Sequence, residues 1–70
     1  MSAKVLAEIS GNIWKFDVGE GASVAAGDVI IVMESMKMEI PVEAPVAGTC
    51  RFAVSEGQSV QEGDVLATIE

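Results

Sequence analysis

Seventy residues, half of them hydrophobic, suffice for one domain with a thin core, since a chain this short buries only about 60% of its unfolded surface on folding. Four basic against eleven acidic residues leave a net charge of −7, which argues against nucleic acid, whose phosphates call for a basic face, and against an anionic membrane surface. With no His and a single Cys50, the chain has no internal disulfide, no cysteine-only zinc site and no Ser/His or Cys/His pair for nucleophilic catalysis.

In chain order, the opening MSAKVLAEIS lacks the apolar stretch and cleavage site of a secretory signal, and no apolar run nears the ~18 residues of a membrane span. A cytoplasmic chain is the expectation. Trp14, Phe16 and Val18 alternate with Lys15 and Asp17, the period-2 pattern of a strand. Gly27-Asp28 is a turn dipeptide introducing the β-branched strand DVIIVME. Beyond Ser35-Met36-Lys37, a second alternation sets Met38, Ile40, Val42 and Ala44 against Glu39, Pro41 and Glu43, a half-buried strand. Cys50, Phe52 and Val54 alternate with Arg51 and Ala53, and Gly63-Asp64 introduces the last strand, DVLATIE. No segment carries a sustained helical stripe.

The chain is written twice. Shifted by 36 positions, residues 12–34 lie over 48–70 with identities at Phe16/Phe52, Val18/Val54, Glu20/Glu56, Gly21/Gly57, Ser23/Ser59, Val24/Val60, Gly27/Gly63, Asp28/Asp64, Val29/Val65 and Glu34/Glu70. Two matching halves of about four short strands predict an all-β, quasi-two-fold flattened antiparallel sandwich or barrel, because either half alone would leave its apolar face bare. Residues 1–70 are read as one domain. On this register Trp14 and Cys50 are equivalent, and Trp14, Phe16, Phe52 and Cys50 are expected on core faces. The repeated glycines and aspartates read as turn formers, not as phosphate or metal ligands.

The segment Ser35–Glu39 joins the two copies, and its symmetry counterpart is the junction of the termini. Lys37 is therefore expected at the end of the domain opposite both termini. A tight hairpin favours Gly, Asn or Asp, whose backbones accept φ > 0, and Met36-Lys37 breaks that preference. Local rules broken without local benefit tend to mark functional sites. Lys4 and Lys15 have no such setting and read as solvated charges.

Glu34-Ser35-Met36-Lys37-Met38-Glu39 resembles the attachment motif of the biotinyl domain family, in which a small residue and Met-Lys-Met surround the biotin-accepting lysine. The Pro45-x-x-Gly48 turn, the length and the repeat agree, and the register is that of the short single-domain biotin/lipoyl attachment proteins. The resemblance implies a carrier and not a catalyst. By that resemblance Lys37 is expected to be acylated with biotin by a biotin protein ligase, the arm then serving a biotin carboxylase and a carboxyltransferase. Glu34, Ser35, Met36, Met38 and Glu39 are the expected recognition residues, with Met38 equally readable as a core residue of its strand. The lipoyl carriers share the fold but usually place an acidic residue before the lysine; an unmodified interaction module is the further alternative. Ala7-Glu8-Ile9-Ser10-Gly11 departs from the commoner Ala-Pro-x-x-Gly, and no insertion forms the protruding thumb of some acetyl-CoA carboxylase carriers. The initial Met-Ser-Ala leads to the expectation of a free-standing chain, a piece cut from a larger subunit being the alternative.

Overall fold

The two Gly-Asp dipeptides turn the chain by one device used twice. Asp28 Oδ2 accepts from the Ala25 amide at 2.9 Å, and Asp64 Oδ2 accepts from the Gln61 amide at 2.8 Å. The preceding Gly27 and Gly63 have φ of +92° and +91°, a region in which an L side chain is strained. The computed structural model describes residues 2–70. Between such turns run eight strands: β1 (Ala3–Leu6), β2 (Gly11–Phe16), β3 (Ser23–Val24), β4 (Val29–Ser35), β5 (Met38–Glu43), β6 (Gly48–Phe52), β7 (Ser59–Val60) and β8 (Val65–Ile69).

The strands form two four-stranded antiparallel sheets, in the orders β1-β8-β6-β3 and β5-β4-β2-β7. The fold is the all-β two-fold sandwich expected, but its sheets do not coincide with its sequence copies. Strand β3 of the first copy pairs with β6 of the second, and β7 of the second pairs with β2 of the first. Each sheet therefore needs both copies, which locks the halves together. Their facing sides bury one cluster whose fully enclosed members include Ile13, Ile30, Ile31, Met33, Cys50, Leu66 and Ile69. At about 1.5–3 kcal/mol per fully buried aliphatic side chain, this cluster is the main term holding the sheets together. No helix of the described residues is long and apolar enough to cross a membrane.

Near the quasi-two-fold axis the Phe16 and Phe52 rings stack with centroids 3.9 Å apart and planes 4° from parallel. The carboxylates around them are exchanged between copies. Glu56 accepts from the Phe16 amide at 2.9 Å, and Glu20 accepts from the Phe52 amide at 2.7 Å.

Trp14 departs from expectation: it is 47% exposed, whereas Phe16 and Phe52 pack against the core and Cys50 is enclosed in it. The cause is a bulge. Ile13 pairs with Met33 and Lys15 with Val32, so Trp14 is an extra residue in β2, which has six residues where β6 has five. The backbone identifies the true equivalent of Cys50. Cys50 donates to Ala22 O at 2.9 Å and accepts from Gly21 N at 2.8 Å; Ile13 likewise donates to Gln58 O at 2.8 Å and accepts from Gly57 N at 2.6 Å. Cys50 thus matches Ile13, and the 36-residue register slips by one at the start of β2.

Candidate functional site

Strands β4 and β5 are joined by two residues only, Met36 and Lys37, between the paired Ser35 and Met38. Met36 has φ of +52° and Lys37 +66°, so both central residues lie in the left-handed region that a two-residue primed hairpin turn demands. An L residue pays roughly 1–2 kcal/mol to sit there. The hairpin tolerates this because its stem is strongly determined. Met33 and Ile31 of β4 are fully buried, with Ile40 and Val42 of β5 packed against the same core.

The turn is also held from the side. Ser35 is only 8% exposed, and its hydroxyl donates to the Ser10 carbonyl at 2.7 Å. At Gly11 a Cβ would lie 2.6 Å from the Glu34 carbonyl oxygen and 3.1 Å from Ser35 Cβ, so β2 starts pressed against the end of β4. Only glycine allows that approach. Stem, hydroxyl bond and backbone contact together fix the base from which the lysine projects.

At the tip, Lys37 is exposed, and its ammonium has no carboxylate within 4.0 Å among the described residues. Met36 is 88% and Met38 62% exposed, so Met38 lies outside the core that its alternation also allowed. Glu34 and Glu39 are exposed and directly paired across the strands, like charge opposite like charge, with no cation within 4.0 Å among the described residues. Such pairs disfavour the hairpin slightly. The structure thus brings Glu34, Ser35, Met36, Lys37, Met38 and Glu39 onto one hairpin end, with Ser35 turned inward as a support and the rest turned outward. Among the described residues no group of three His, Cys, Asp or Glu side chains is arranged to hold a metal.

Strand β2 leaves the hairpin at Gly11 and reaches the axis at Phe16. Strand β6 leaves the C-terminus at Gly48, where Thr49 and Glu70 exchange two backbone hydrogen bonds of 2.8 Å, and reaches the axis at Phe52. Hairpin and C-terminus therefore occupy opposite ends of a body 32 Å long and 18–19 Å across. Lys4, exposed on edge strand β1, and Lys15, whose Nζ lies 4.8 Å from the Trp14 ring centroid, share none of the turn geometry. Sequence reasoning missed the support from Ser10 and Gly11. The available signal was that Gly11 and Gly48, both at strand starts under the opposite chain, are 37 residues apart and not 36.

A family model described as "Biotin-requiring enzyme" matches residues 1–69. The chain is 50% identical over 48 residues to the "Biotinylated protein TB7.3 homolog" of Mycobacterium leprae, covering 69% of this chain and 68% of that one. It is 42% identical over 41 residues to the "Biotin/lipoyl attachment protein" of Bacillus subtilis, covering 59% of this chain and 56% of that one. Among solved structures, the urea carboxylase of Kluyveromyces lactis superposes on the whole of this chain with a TM-score of 0.93 and 32% identity, over 6% of the carboxylase. The aligned parts of the two curated relatives are thus little more than half to two thirds of their length, and that of the carboxylase a small fraction.

Proposed function

The chain belongs to the biotin/lipoyl attachment family, that of the biotin-requiring enzymes, and from that premise we propose that Lys37 is the attachment residue of a biotin carboxyl carrier. The observation that carries this reading is the turn itself. Met36 and Lys37 are both held at φ > 0 on a braced stem, and the amine is left exposed and without an ion pair. A folding role explains neither residue, since Asn-Gly would make the same turn at lower cost.

The donor set fits the group. Attachment needs one accessible primary amine, which forms an amide bond with an activated carboxyl while the activating group leaves and the amine gives up a proton. Among the described residues no carboxylate lies within 4.0 Å of the amine, so the chain supplies no general base there and activation of the amine falls to the ligase. The chain's own part is to present the amine on a rigid tip. When bound, biotin supplies a ring that takes up a carboxyl group at one active site and yields it at another. The domain carries that ring on a tether, so its concentration at both sites is set by tether length and not by free diffusion. A biotin protein ligase, a biotin carboxylase and a carboxyltransferase are the corresponding partners, and the chain itself is the non-catalytic component.

Intact-mass spectrometry of the protein coexpressed with a biotin protein ligase tests the reading. The expected result is a gain of one biotinyl group that is absent from Lys37→Arg. Modification persisting in that variant, or labelling by a lipoate ligase alone, overturns it.

A further inference from the structure

The two copies build related outer surfaces, and one difference between them lies at the lysine end. In the second copy Arg51 closes the outer face of its sheet, lying 3.5 Å from Glu20 and 3.3 Å from Glu70. The matching residues of the first copy are Lys15, Glu56 and Glu34. There the cation pairs with neither acid. It lies over the extra residue Trp14 instead, at 4.8 Å from the ring centroid. The bulge has thus replaced an ion-paired face with an exposed indole beside carboxylates that form no salt bridge among the described residues.

Strand register shows what surrounds the indole. Val32 pairs with Lys15 on one side and Pro41 on the other, and Glu34 pairs with Asn12 and Glu39. Across β2, β4 and β5 these residues make two rows on the outer face. A row of Lys15, Val32 and Pro41, with the bulged Trp14 beside Lys15, lies next to an acidic row that contains Glu34 and Glu39, and the exposed Glu43 follows Pro41 on the same face of β5. Lys15, the neighbour of Trp14, opposes Val32, three positions from the hairpin base at Ser35 and about 10 Å away at strand spacing. Tryptophan is among the side chains enriched where binding energy concentrates at interfaces.

We propose that this face, centred on Trp14 and rimmed by Glu34, Glu39 and Glu43, is a docking surface for the biotin protein ligase, and that the ligase meets it with a cationic rim around an apolar recess. The inference rests on the carrier reading above. Before acylation the lysine side chain is short, so the enzyme that acylates it must seat directly on the surrounding surface. A standard interface covers about 800 Å² per partner, which is a disc of roughly 16 Å radius, and one centred on the hairpin takes in Trp14. Later partners reach the cargo at the end of a long arm and have less need of the face. Unpaired carboxylates supply the complement to basic side chains and speed the encounter.

Trp14 is the single tryptophan of the chain, so 5-fluorotryptophan labelling gives one fluorine resonance that reports on this face alone. On titration of the apo protein with ligase, that resonance is expected to shift or broaden. Trp14→Ala should raise the KM for biotinylation about fivefold or more with kcat little changed, and Trp14→Phe should recover part of the loss. Glu34→Gln and Glu43→Gln should flatten the fall of kcat/KM with salt, while Arg51→Gln at the far end should leave KM unchanged. A Lys37 that is biotinylated normally while the fluorine signal stays still and Trp14→Ala keeps KM within twofold overturns the docking face alone. No biotinylation of the wild type overturns the carrier reading and the face with it.

Discussion

The Ser35 hydroxyl donates to the Ser10 carbonyl across 2.7 Å, tying the last residue of β4 to the loop that leads into β2. Ser35 is nearly buried, so removing the hydroxyl strands a carbonyl beside the base of the lysine turn. Ser35→Ala is expected to cost about 1 kcal/mol in chemical denaturation, the usual net worth of such a bond. Ser35→Val adds volume beside Gly11, where 3.1 Å separates Ser35 Cβ from a Cβ built there, and should cost more.

The turn is strained at Met36, so relief there should be visible as stability. Met36→Asn tolerates φ > 0 better than methionine and is expected to raise stability by roughly 0.5–1 kcal/mol, read as a higher denaturation midpoint at unchanged m-value. The same variant removes an 88% exposed side chain from the tip, and on the carrier reading its biotinylation should slow. A variant that is more stable and less well modified would separate the folding role of this position from the recognition role proposed for it.

Gly11 is needed for closeness and not for an unusual φ. Gly11→Ala brings a methyl to 2.6 Å from the Glu34 carbonyl oxygen, backbone that has little room to move. The expected loss is about 1–3 kcal/mol in denaturant unfolding, with weakened amide protection in β4 next to the turn. By contrast a Cβ at Gly19 meets nothing within 4 Å, so Gly19→Ala should be close to neutral. Equal losses at the two positions would disprove the contact argument.

Cys50 is fully enclosed, and burial first, then the charge of Glu20, pushes its thiol above the ordinary thiol range. The unfolded chain therefore loses this proton at lower pH than the folded one. The sign follows: stability from this group is fully present below the unfolded pKa and is lost as pH rises from there through the raised folded value. A thiol reagent such as dithionitrobenzoate should label Cys50 only as fast as the protein opens, and labelling should track denaturant concentration. Rapid labelling of the native protein would contradict the enclosed position.

What the sequence by itself determined is whatever local chemistry repeats along the chain. The Gly-Asp turns, the period-2 strands and the 36-residue copy were legible because turn residues and alternation act over a few positions, and the copy announces two equivalent halves. The reversal at Met36-Lys37 was legible for the same reason, as a turn made from residues that resist turning. Only tertiary structure decided which strands share a sheet. The exchange of β3 and β7 between copies depends on contacts some 25–50 residues apart, such as Ser23 with Thr49 and Asn12 with Ser59, to which no local pattern points. It also decided the side taken by Trp14. An alternating pattern carries no mark of an inserted residue, and one insertion reverses every face beyond it until the partner strand sets the register. The support beneath the lysine has the same origin: Ser10, Gly11 and Ser35 are ordinary residues in sequence, and they become a brace only when β2 is laid against β4.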